Sequence, residues 1–154
     1  MIFQMILFSV PEAMIVTWLV YVLSGAKVDL KRILLIGVLV GVCLVLIRPL
    51  IDVYLLNVII YGFALVLMLS LFKVASFWER LTSVALSMSI YIVTEFLNIT
   101  IISSILQVDP LTVMVDNIFT RFLWFLPQII IVSLVALILQ KKKITLFDHK
   151  DKWE

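Results

Sequence analysis

Histidine is almost missing from this chain. The one copy, His149, sits in a polar carboxyl-terminal tail, so no imidazole in the apolar sequence can activate a serine or thiol. Cysteine also occurs once, as Cys43 inside an apolar run, which excludes a disulfide framework, a thiol pair and thiolate metal spacing and leaves packing as its role. The motifs H-E-x-x-H and G-x-S-x-G and the P-loop are absent, and two glutamates are only a weak imitation of an aspartyl site, so no enzyme activity, metal or cofactor is expected. Charge is scarce as well: 14% of the 154 residues are charged and 64% are hydrophobic, a balance that excludes a water-soluble globular domain.

What is present is a series of long apolar stretches. Crossing ~30 Å of hydrocarbon takes about 20 helical residues, and five stretches qualify, at approximately 2–23, 33–51, 53–72, 81–106 and 118–139. No alternating ten-residue pattern of barrel strands occurs, so the expected fold is all-α, a polytopic membrane helix bundle over 1–143 with a short tail at 144–154. The first stretch lacks a basic n-region and contains Pro11 and Glu12, which makes it a retained span rather than a signal peptide. Between the second and third, Arg48-Pro49-Leu50-Ile51-Asp52 predicts a tight helical hairpin, because proline cannot continue the helix.

Basic residues retained in short loops orient such a bundle. Lys27, Lys31 and Arg32 lie in the first loop, Lys73 and Arg80 in the third, and Lys141, Lys142, Lys143, Lys150 and Lys152 at the tail. With five spans these segments share one side, so the carboxyl terminus is expected in the cytoplasm and the amino terminus outside. Those ten bases meet five acids, leaving +5 inside. Arg48 and Arg121 meet Glu12, Asp52, Glu95, Asp109 and Asp116, leaving −3 for the membrane and outer side. The pI near 8.8 therefore reflects retention charges, and nucleic acid is not an expected partner. Trp78, Trp124, Tyr54 and Phe77 fit an interfacial aromatic belt.

An ionised carboxylate in hydrocarbon is costly, which singles out Glu12 and Glu95. At ~1.5 Å per residue Glu12 lies ~15 Å from the outer end of its span and Glu95 ~17 Å from that of the fourth. Gln128, just after Pro127 on the fifth span, falls at ~15 Å. Tyr91, Glu95 and Asn98 share a helical face by their spacing. The expectation is an outer-half polar layer of Glu12, Glu95, Asn98 and Gln128 beneath Arg121, with Arg48 also at the mouth. It serves either as a ligand- or partner-binding groove or as interhelical glue, with the acids protonated or paired to Arg121. Secondary features are Gly37-x-x-x-Gly41, which permits close helix approach, and Arg48 with Asp52, four apart and able to neutralise each other at the turn. Ser83, Ser87 and Thr94 are expected to satisfy backbone carbonyls or a neighbouring helix.

Ser9-Val10-Pro11-Glu12-Ala13, Glu95 and Arg121 with Leu126-Pro127-Gln128 together resemble the amino-terminal membrane sensor region of bacterial histidine kinases similar to the accessory-gene-regulator quorum-sensing receptors. The resemblance covers most of 1–143. It implies recognition of an extracellular signal, often a peptide, and a conformational change passed to a cytoplasmic kinase. No phospho-acceptor helix or nucleotide-binding domain occurs within the 154 residues. Signalling would then require a separate kinase, another membrane-complex subunit or a longer parent chain.

Three functional expectations result for a multi-pass protein of the cytoplasmic (inner) membrane. The first is a non-enzymatic, sensor-like or accessory subunit binding an extracellular peptide, a small molecule or a protein partner, a second copy of itself included. The second is a small transporter subunit with Glu12 and Glu95 as substrate or ion ligands, although no inverted repeat is evident. The third is a scaffold subunit in which the acids only join helices. The 144–150 segment is either a docking element or a solvated end.

Overall fold

The computed structural model describes residues 2–51, 53–107 and 118–147. Asp52, Asp109, Asp116 and the tail from Asp148, with His149, lie outside the described residues. Among the described residues five helices follow in order: α1 (Ile2–Leu23), α2 (Leu30–Ile47), α3 (Tyr54–Leu71), α4 (Phe77–Leu106) and α5 (Ile118–Lys141), with a 3-10 turn at Arg48–Leu50 between α2 and α3. No strand occurs among the described residues. All five helices are long and apolar enough to cross a membrane, as expected of a multi-pass membrane protein.

Local chemistry sets the boundaries. α2 starts at Leu30, before the apolar run, because the Asp29 side chain accepts a hydrogen bond from the Lys31 amide at 3.0 Å and caps the first turn. The Glu79 carboxylate reaches back to the Ser76 amide at 2.7 Å, one half of a capping box, and so draws Trp78-Glu79-Arg80 into α4. Both α3 and α5 end in the six-to-one hydrogen bonds of a Schellman motif, Val74 N to Leu69 O at 2.9 Å and Ile144 N to Leu139 O at 3.0 Å. The left-handed position, normally glycine, is held by Lys73 (φ 53°) and Lys143 (φ 52°).

Neighbouring helices contact one another around the bundle, and α1 touches α2, α4 and α5. α1 is also the most enclosed helix, with Ala13, Val16, Leu19 and Val20 fully buried. Its tightest neighbour is α2, where Gly37 faces Met14 and Gly41 faces Val10. A Cβ on Gly37 would stand 2.6 Å from the Met14 Cα, and one on Gly41 2.8 Å from the Val10 Cα, so these backbones are in direct contact. In lipid, where apolar burial gives little drive for helix association, such close packing is a main source of cohesion. The large exposed residues, including Leu46, Phe63, Phe96 and Ile105, form the lipid-facing surface, whereas Ser9, Glu12, Thr17, Asn98 and Gln128 are turned inward.

The basic loops meet at one end of the bundle. Lys27, Arg32 and Lys73 line a common depression there, and the Leu146 amide donates to the Leu23 carbonyl at 2.8 Å, which brings the tail to the same end. The polar layer belongs to the other half.

Candidate functional site

Arg48 stands where α2 gives way to the 3-10 turn, a position from which a long cationic side chain usually extends to water. Here it turns inward. Its Nη2 donates to Glu12 Oε1 at 2.8 Å and Oε2 at 3.1 Å, and its Nη1 donates to Ser9 Oγ at 3.0 Å. The Glu12 side chain is 8% exposed and that of Arg48 31%, so the carboxylate is the deeper partner. Ser9 and Glu12 are one turn apart with only Val10 and Pro11 between, which places both on the face of α1 toward Arg48. The cation expected to neutralise Asp52 at the turn is thus bound to Glu12, and Glu12 takes Arg48 rather than Arg121 as its partner.

Glu95, on α4, has a different environment. It is half-buried and accepts a hydrogen bond from the Tyr54 hydroxyl at 3.2 Å. Three residues on, the Asn98 amide donates to the Trp124 carbonyl of α5 at 2.6 Å. That carbonyl lies in the turn before Pro127, whose missing N–H leaves the neighbouring Leu123 carbonyl without its helical donor. Arg121, one turn earlier on α5, holds its guanidinium 5.1 Å from the centroid of the Phe8 ring, and Phe8 meets Phe125 edge to face at 5.3 Å. Gln128 is 3% exposed, and its Nε2 has no hydrogen-bond acceptor among the described residues.

Two cavities lie within this layer. One, of about 150 Å³, is lined by all five residues singled out in the sequence, Glu12, Glu95, Asn98, Arg121 and Gln128, together with Arg48 and aromatic side chains. The second, about 240 Å³, is lined by Glu12, Arg48 and Glu95 with Tyr54, Tyr61 and Tyr91. Glu12, Arg48, Tyr91 and Glu95 border both, so the polar interior is shared by the two spaces. It presents two acids, two cations, phenol hydroxyls and amides, groups suited to holding charge and hydrogen bonds.

Helix α3 is the contribution that the sequence did not reveal. Tyr54, Asn57 and Tyr61 recur at helical spacing along one side, and the Asn57 amide also donates to the Ile51 carbonyl at 2.9 Å, tying down the hairpin. Tyr54 had the credentials of a belt residue, and only its i, i+3, i+7 relation to Asn57 and Tyr61 hinted at a polar face. Thr94 donates to the Ile90 carbonyl at 2.8 Å as expected, but the buried hydroxyls of Ser83 and Ser87 have no partner. Among the described residues no three metal-ligating side chains come together. Compared with family models, with curated proteins and with solved structures, the chain shows no match.

Proposed function

We propose that the chain is a sensor-like or accessory membrane subunit, non-enzymatic, that binds a ligand or a partner segment in the polar interior between α1, α3, α4 and α5. One observation carries this reading. The charged residues of the layer divide into a closed pair, Glu12 with Arg48, and two groups that border the same cavity without an ion-pair partner among the described residues, Glu95 and Arg121. Helix glue accounts for the first pair, since each partner neutralises the other in a low-dielectric setting. It does not account for the second, because the half-buried Glu95 has only the Tyr54 hydroxyl as partner while Arg121, exposed near the start of α5, borders the same cavity without pairing with it.

Glu12, Glu95 and Arg121 are all among the residues that prompt the resemblance to quorum-sensing receptor membrane regions, which supports a binding role for the layer as a whole. The test is photocrosslinking in cells from a reactive residue at position 95 or 121, with position 63 on the lipid-facing side of α3 as control. Capture of one defined species from 95 and 121 and none from 63 is expected. Identical lipid-only products from all three positions would remove the binding reading and leave the scaffold.

A further inference from the structure

Neutralisation decides what kind of ligand the cavity can take. Glu12 and Arg48 cancel each other at 2.8 Å. Glu95 keeps a single neutral donor, Tyr54, with no cation within the 4.0 Å of an ion pair among the described residues. Arg121 lies over the Phe8 ring and likewise has no carboxylate within that distance among them. One cavity of about 150 Å³ is therefore bordered by a carboxyl group on α4 and a guanidinium on α5, neither held in an ion pair among the described residues.

The backbone levels from which the two side chains reach the cavity are set by the helix register. The Asn98 bond to the Trp124 carbonyl fixes the register of the antiparallel helices α4 and α5, which sets Arg121 level with residue 101. Six residues from 95 to 101 amount to about 9 Å along the axis. Gln128, by the same register, stands level with residue 94 and brings a buried amide donor, without an acceptor, to the Glu95 end. A donor group buried in this way costs free energy until an acceptor arrives.

The geometry points to a small zwitterion as the ligand: one molecule or headgroup carrying an ammonium for Glu95, an anionic group for Arg121 and an acceptor oxygen for Gln128. The inference rests on the binding reading above. Neither cavity, at about 150 and 240 Å³, reaches the ~300 Å³ at which pockets for drug-sized ligands begin. That restricts the occupant to the size of an α-amino acid or a phosphoethanolamine group. Both sources offer the same pair of charges, one free in solution and the other on a lipid.

Thermal unfolding of the purified full chain separates them. In nonionic detergent the probes are the α-amino acids and glycerophosphoethanolamine, each beside analogues lacking the amine or the acid. In nanodiscs, phosphatidylethanolamine is compared with phosphatidylglycerol. At least one zwitterion should raise the midpoint, with singly charged analogues needing tenfold or more higher concentration, the loss typical of one charge-assisted hydrogen bond. Glu95→Gln should erase the preference for the amine and Arg121→Gln that for the acid, while Glu95→Asp and Arg121→Lys keep part of each. A response in nanodiscs but not in detergent assigns the headgroup; the reverse assigns the free solute. Equal response to singly charged analogues, or no response to any zwitterion, overturns the inference. If crosslinking at 95 and 121 still captures a defined partner in that case, the binding reading stands and only the zwitterion falls.

Discussion

Removing Arg48 should destabilise the bundle more than removing the charge it neutralises, and the exposure of the two partners gives the reason. The Glu12 side chain is 8% exposed and held on both oxygens, so Arg48→Met strands a carboxylate deep among α1, α4 and α5. Loss of one partner from a buried pair costs about 3–5 kcal/mol. Glu12→Gln instead leaves a guanidinium that is already 31% exposed at a helix end and can swing outward to headgroups or water. Only the hydrogen bonds change there, for about 1–2 kcal/mol. In the double variant no charge remains to be stranded, so its stability should approach that of Glu12→Gln, giving a coupling of about 3–5 kcal/mol, the cost of Arg48→Met alone. Unfolding in mixed micelles, followed by circular dichroism for the wild type and three variants, measures each corner of this cycle. The reasoning fails if Arg48→Met costs no more than Glu12→Gln, or if the two single losses simply add.

Other outcomes follow from contacts elsewhere. Gly37→Ala and Gly41→Ala push a methyl into the backbone of α1 and should cost about 1–3 kcal/mol in the same assay. At Gly62→Ala the new methyl meets the Met88 sulfur at 3.1 Å, a flexible end that can move aside, and Val84 Cγ1 at an ordinary 4.0 Å; its melting temperature should match or exceed that of the wild type. Asn98→Leu removes the bond to Trp124 and should cost about 0.6–2 kcal/mol, read as a lower midpoint with unchanged oligomer size. For topology, single cysteines in a Cys43→Ser background should react with an impermeant thiol reagent from outside at Gln107, and at Lys27 only after permeabilisation. Labelling of Lys27 in intact cells would invert the orientation that the lysine and arginine bias implies.

The apolar runs made the helices legible because length and hydropathy are what a bilayer selects. The first span, at 2–23, coincides with Ile2–Leu23, while α2 and α4 start three and four residues earlier than their apolar runs. Asp29 and Glu79 explain that difference, since caps act through hydrogen bonds that hydropathy does not measure. Depth along each span was enough to bring Glu12, Glu95, Asn98, Arg121 and Gln128 to one cavity. Depth could not say which face each helix presents. The sequence sets Arg48 at the mouth of the layer and four residues from Asp52, but its pairing with Glu12, 36 residues away, depends on facing that depth does not give. For the same reason the part played by α3 is faint in the sequence: its tyrosines carry no formal charge, and two phenol rings and one amide on a single face stand out little against an otherwise apolar helix.

Glu95 borders the polar layer in the half of the bundle away from the basic loops, and the proposed binding role requires that layer to be reached from that end. Replacing Glu95 by cysteine in the Cys43→Ser background and adding a small charged, membrane-impermeant thiol reagent to intact cells tests this directly. The account predicts reaction from the outer face, with a cysteine at Phe63 on the lipid side left unlabelled. A thiol at position 95 that stays unreactive, or that reacts only from the cytoplasmic side, would contradict an outward-opening chamber.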